Sequence, residues 1–87
     1  MPYAVEFVAT AREAFDALPR PVQIRVGRAI DRLAENPRPR GAKVLQGKKG
    51  LLRVRVGDYR VLYQIVKERL VVLVVKVGHR REVYRRL

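Results

Sequence analysis

Apolar residues recur along this chain with two different periods, and the change from one to the other divides it in half. Residues 3–8, YAVEFV, alternate well enough to predict a first strand. Ala11, Ala14, Phe15 and Leu18 then follow at helical spacing, and Val22, Val26, Ala29, Ile30 and Leu33 mark one face of a second helix. Thr10-Ala11-Arg12-Glu13 fits a capping box, in which the Thr10 hydroxyl accepts from an early helix N–H and Glu13 reaches back. Pro19 and Pro21 close the first helix and open the second, and Asn36-Pro37 stops it. Two amphipathic helices so closely joined predict an αα-hairpin.

Beyond a Pro/Gly/Lys-rich stretch at 37–50, read as a loop, the period becomes two. Strands are predicted at 51–56, 59–66 and 70–77, joined by Gly57-Asp58 and by the Lys67-Glu68-Arg69 turn. The last, LVVLVVKV, is apolar on both faces and so belongs inside the sheet, with Gly78 ending it and a short basic tail after it. The order β-α-α-β-β-β gives an α+β fold, the helix hairpin packed on one face of a mainly antiparallel, twisted sheet. No repeat or linker interrupts residues 1–87, which are expected to form one small domain.

A two-residue turn at Gly57-Asp58 sets the hairpin register: Val56 opposite Tyr59, Arg55 opposite Arg60, Val54 opposite Val61, Arg53 opposite Leu62. Leu52, Val54 and Val56 then share a face with Tyr59, Val61 and Tyr63, and this face covers the helices. The other face, expected to be solvated, carries Arg53, Arg55 and Arg60. Like charges directly opposite each other cost something like the ~0.2–1 kcal/mol that opposite charges contribute. With no acid nearby in sequence, an anion is the natural compensating partner, and the planar guanidinium fork suits phosphate.

Charge distribution sharpens this. The net charge is +12, yet residues 1–36 hold five basic and five acidic groups and are neutral. Residues 37–60 hold eight basic groups against Asp58, a balance of +7, and residues 76–87 hold five against Glu82, a balance of +4. Such asymmetry marks a polyanion-binding surface. The chain has no cysteine and one histidine, which leaves little for a disulfide or a metal site, and no cofactor is expected. No segment reads as a signal peptide, and LVVLVV is too short to cross a bilayer, so a soluble cytoplasmic protein is expected.

The GDYRVLYQI of the hairpin, followed after one hydrophobic strand by VGHRREVYR, resembles the RelE/ParE toxin superfamily, on its RelE side. The resemblance extends over nearly the whole chain, including the L..NP end of the second helix and the basic loop. It implies the toxin of a type II toxin–antitoxin pair that cleaves mRNA in the ribosomal A site, with a cognate antitoxin bearing an acidic or amphipathic segment as partner. No membrane or small-molecule substrate is implied. Carried over by motif, the site falls on Arg53, Arg55, Arg60, Arg80 and Tyr84. Arg60 would stabilise charge on the phosphate, Arg53 and Arg55 hold flanking phosphates, Arg80 serve the leaving oxygen, and Tyr84 stack on a nucleotide. Lys48, Lys49 and Arg81 are expected to contact RNA. Members with lysine on the second strand carry a general base there; arginine holds its proton too tightly for that. His79, the one side chain expected to titrate near neutrality, is the acid–base candidate. The fold is shared with DNA gyrase poisons of the ParE type and with catalytically weak nucleic-acid-binding homologues, which stand as alternatives.

Overall fold

The computed structural model describes residues 2–48 and 50–85. Its elements are β1 (Ala4–Phe7), α1 (Ala9–Asp16), α2 (Arg20–Glu35), β2 (Lys43–Val44), β3 (Leu52–Val56), β4 (Tyr59–Val66), a single 3₁₀ turn (Lys67–Arg69) and β5 (Val71–His79). The sheet runs β1-β5-β4-β3-β2, antiparallel throughout except for the β1–β5 pair, which is parallel. Two helices therefore cover one face of a mixed, mainly antiparallel sheet, and β5 lies inside it as its two-faced apolar run requires.

The hairpin has the predicted register at every position, from Leu52↔Tyr63 to Val56↔Tyr59. Its turn is set by Gly57, whose φ of +60° puts the left-handed residue first, the pattern that lets two strands close with their natural twist. Ala11, Val26, Ile30 and Leu33 of the helices pack on Leu52, Val54, Val61, Tyr63, Val72, Val74 and Val77 of the sheet. Burying these side chains is what holds the two layers together.

Four local expectations are corrected. α1 starts at Ala9 with Val8 as its cap and no side-chain capping bond. The Val8 N–H bonds to the Val74 carbonyl at 3.0 Å, so sheet pairing fixes where the chain turns and leaves Thr10 inside the first turn. Within 37–50, Lys43 and Val44 pair with Arg53 and Leu52 as a short edge strand, too brief to show any period. β5 does not stop at Gly78. Gly78 pairs with Arg60 and His79 with Tyr59, so the strand runs two residues beyond its predicted end. It also begins one residue later, at Val71, since Leu70 is left-handed (φ 54°). Finally, the sheet face opposite the helices is partly covered: Leu62, Leu51 and Val83 form a second small cluster there, with Leu45 and Val75 beside it. A bulge in β5, between the Leu62↔Lys76 and Tyr63↔Val74 pairs, allows Val75 to join that cluster.

Tyr63 ties the sheet to the segment after α2. Its ring is fully buried and its hydroxyl donates to the Pro37 carbonyl at 2.6 Å. Burial pushes the phenol pKa above its ordinary value, with Arg38 opposing to a lesser degree. Removing the bond with Tyr63→Phe is expected to lower stability by about 0.5–1.5 kcal/mol, read from urea unfolding at pH 7. A raised folded-state pKa makes stability full below the unfolded phenol's value of about 10 and diminishing as pH climbs past it. The Phe variant should accordingly lose part of the wild type's alkaline decline.

Candidate functional site

Cross-strand pairing puts Arg55 directly opposite Arg60, with Arg53 two pairs further along, on the same face, opposite Leu62. Arg55 is exposed and Arg53 half-buried, whereas Arg60 is only 8% exposed. The expectation that all three are solvated is thus corrected for Arg60. On its other side Arg60 pairs with Gly78, which has no side chain to place on this face, and Val83 packs there instead. The Arg60 guanidinium is held by backbone: Nη1 donates to the carbonyls of Gly57 at 3.0 Å and Tyr59 at 2.9 Å. Main-chain dipoles, rather than a carboxylate, accommodate its charge.

The tail is built to meet this hairpin. The Arg80 N–H donates to the Asp58 carbonyl at 2.8 Å, which fixes the exit of β5 against the hairpin turn. The N–H groups of Glu82 and Val83 donate to the His79 carbonyl at 2.8 and 2.9 Å, bending the chain back. Val83, 1% exposed, seats that bend on Leu62 and Leu51. The Lys76 ammonium donates to the Arg85 carbonyl and fastens its far end.

The result is an open cleft of about 510 Å³ lined by Arg53, Arg55, Arg60, Arg80, Arg81 and Tyr84. Five guanidiniums share it with one phenol. Among the described residues, the acid nearest any of them is Asp58, 3.9 Å from Arg80 Nε with both groups more than half exposed, a contact worth little in water. No carboxylate comes within 4.0 Å of Arg53, Arg55, Arg60 or Arg81 among the described residues. Such a cleft attracts a polyanion and offers forked donors to its phosphate oxygens.

Of the residues singled out from sequence, Arg53, Arg55, Arg60, Arg80, Arg81 and Tyr84 are brought together. His79 is not. Its partner Tyr59 packs against the helix-side core, and the His79 ring meets Tyr59 edge-on at 5.5 Å, on the face opposite the cleft. His79 Nδ1 accepts the Arg81 N–H at 3.2 Å, so the ring shapes the tail's turn. Lys48 is exposed in the turn between β2 and β3 and does not line the cleft; Lys49 lies outside the described residues. Sequence reasoning passed over Val83, whose only signal was being the one branched apolar side chain between His79 and Arg86. A larger groove of about 640 Å³ lies by β1 and the helices, but its charges are of mixed sign (Glu6, Arg12, Asp31) and it contains no cluster of cations.

Comparison with known proteins gives consistent relationships. The sequence model of the family described as "ParE toxin of type II toxin-antitoxin system, parDE" matches residues 3–84. Toxin RelG of Mycobacterium tuberculosis is 37% identical over 87 residues, covering 99% of this chain and 100% of its own. In three dimensions the chain is similar to the RelBE2 toxin–antitoxin complex of Mycobacterium tuberculosis, with TM-score 0.78 and 34% identity over 91% of this chain and 99% of that one. It is also similar to the isolated RelE toxin of Escherichia coli, with TM-score 0.80 and 26% identity over 88% of this chain and 83% of that one.

Proposed function

Because the chain belongs to the ParE toxin family of type II toxin–antitoxin systems, with relatives of the RelE type, we propose that it is a single-domain, ribosome-dependent endoribonuclease that cuts mRNA in the A site. The observation that carries this reading is the cleft of five guanidiniums and a tyrosine, without a neutralising acid. In the proposed reaction the RNA 2′-oxygen attacks the adjacent phosphorus and the bond to the 5′-oxygen breaks, leaving a cyclic phosphate and a 5′-hydroxyl. Arg60, held by the carbonyls of Gly57 and Tyr59, stabilises the charge that builds on the phosphoryl oxygens. Arg53 and Arg55 grip the flanking phosphates, Arg80 and Arg81 stand on the leaving-group side, and Tyr84, 40% exposed, offers a ring for a base to stack on.

No side chain in the cleft accepts a proton readily near neutrality. The 2′-hydroxyl proton therefore passes to solvent or to a ribosomal group, and the leaving 5′-oxygen takes its proton from the same sources. This makes two checkable statements. The single-turnover rate should rise with pH without the bend that an imidazole base gives near about pH 6.5. His79→Gln should keep activity within about tenfold, where loss of a general acid–base group costs about 10²–10⁴.

Primer extension on translated mRNA, with wild type and Arg80→Ala, tests the whole reading. Cuts in A-site codons that weaken in the variant support it. DNA breaks with intact mRNA would instead establish a gyrase poison, the reading that the ParE name of the matched family favours. Neither outcome would leave only a nucleic-acid-binding homologue. The proposed partners are the ribosome, its mRNA, and a cognate antitoxin whose acidic or amphipathic segment complements a chain of charge +12, all meeting in the cytoplasm.

A further inference from the structure

The structure points to a second RNA-binding groove, continuous with the cleft, and we infer that it holds the phosphates of an RNA segment beyond the scissile one. This deepens the RNA-cleaving reading above and rests on it. The groove, about 240 Å³, lies between α2, the segment after it and β3; Arg32, Arg40 and Arg55 surround an apolar floor of Ala29, Leu33 and Val54. Arg55 lines both this groove and the cleft, so one residue joins them.

Its geometry is built in from three sides. Arg25 and Arg32 of α2 lie on one helical face, two turns apart with Ala29 between them, so a basic stripe of two arginines follows the β3 flank. At the upper end of that stripe Arg25 reaches the hairpin turn: a Cβ placed on Gly57 would lie 2.8 Å from its Nη2. At the lower end Arg40 sits in a turn closed by the Ala42 N–H to the Pro39 carbonyl at 3.0 Å, itself pinned to the sheet by Tyr63 through Pro37. Among the described residues, no carboxylate comes within 4.0 Å of Arg25, Arg32, Arg40 or Arg55. Cations thus run from Arg32 and Arg40 through Arg55 into the cleft with no acid neutralising them along the way. An acidic peptide needs a few matched charges, whereas a nucleic-acid backbone, with a phosphate at every step, matches a continuous run.

The test is fluorescence anisotropy of the free toxin with uncleavable 2′-O-methyl RNA, comparing oligomers of about three and about twelve nucleotides over a series of salt concentrations. Arg32 and Arg40 are exposed, so the double variant Arg32→Gln/Arg40→Gln keeps the fold. For the long oligomer it should lower the slope of log K against log salt by about 1.4, two single-strand contacts at about 0.7 each, and leave the short oligomer's affinity unchanged. An unchanged long-oligomer slope, while Arg53→Gln weakens both lengths, overturns the groove and leaves the cleft reading intact. The groove proposal is equally overturned if the double variant loses affinity only for a glutamate-rich peptide, which assigns the groove to a protein partner. Absence of RNA binding by the wild type at either length overturns the groove, while the cleft reading stands or falls by primer extension on translated mRNA.

Discussion

Arg60→Gln is expected to slow RNA cleavage about 10²–10³-fold, the loss that follows removal of one preorganised donor to a developing oxyanion. The size of the effect comes from where the charge sits. Among the described residues Arg60 is the only buried charged side chain, and two carbonyls, at 3.0 and 2.9 Å, already hold its Nη1. A cation so fixed need not reorganise as the phosphate gains charge, and exclusion of water raises what each contact is worth. Arg55 and Arg80, more exposed, act through solvent and should each matter less. The substitution also deprives two backbone carbonyls of a donor, expected to cost about 1–3 kcal/mol, so urea unfolding must accompany the kinetics and rates must be taken where both proteins are folded. Arg60→Lys sharpens the result. It keeps the charge but loses the planar fork, and should recover only part of the rate. If Arg60→Gln costs no more than Arg53→Gln in the same assay, the assignment of the central role to Arg60 is wrong.

The contrast between Arg60 and His79 shows how far a sequence of this kind can be read. The hairpin is legible because a glycine-led two-residue turn fixes the register, and register fixes which side chains share a face. That is enough to gather Arg53, Arg55 and Arg60 on one surface from their positions alone. The fate of His79 depended on where β5 ends. Ending the strand at Gly78 frees His79 to swing toward the arginines. Continuing it to His79 imposes strict alternation, and Tyr59↔His79 pairing sends the ring to the helix side. The physical cause is that neighbouring β4 still offers partners at Arg60 and Tyr59, a non-local fact that no feature of VGHRR announces. The same holds for the start of α1, where pairing of Val8 with Val74 outweighs the capping box at Thr10. It holds too for β2, which exists only because β3 presents an edge to it. The burial of Arg60 was hidden for a related reason: it requires the tail to fold over Gly78, and short irregular segments carry no period to reveal that they dock.

That docking supplies the second large expected effect. Val83→Asp should lower cleavage by at least about 10²-fold, the order of loss that a misplacement near 1 Å brings, although residue 83 touches no RNA. Val83 is the anchor of the bend that carries Arg80, Arg81 and Tyr84, and it is buried against Leu62 and Leu51 on the sheet face away from the helices. An ionised carboxylate is not accommodated in that cluster without a partner, so the tail should leave the surface rather than bury the charge. Three of the six cleft-lining residues would then lose their positions at once. The main core should persist, because it lies on the opposite face of the sheet and Val83 is no part of it. The expected signature is therefore specific. Far-UV circular dichroism and cooperative unfolding should survive, while amide exchange quickens at Glu82 and Val83, whose N–H groups are held by the His79 carbonyl. Val83→Ala, which trims the anchor without charging it, should fall between this variant and wild type in both rate and exchange. Loss of cleavage together with global unfolding would mean that the tail is integral to the fold; full activity with a released tail would mean that Arg80, Arg81 and Tyr84 do not work from the positions seen here.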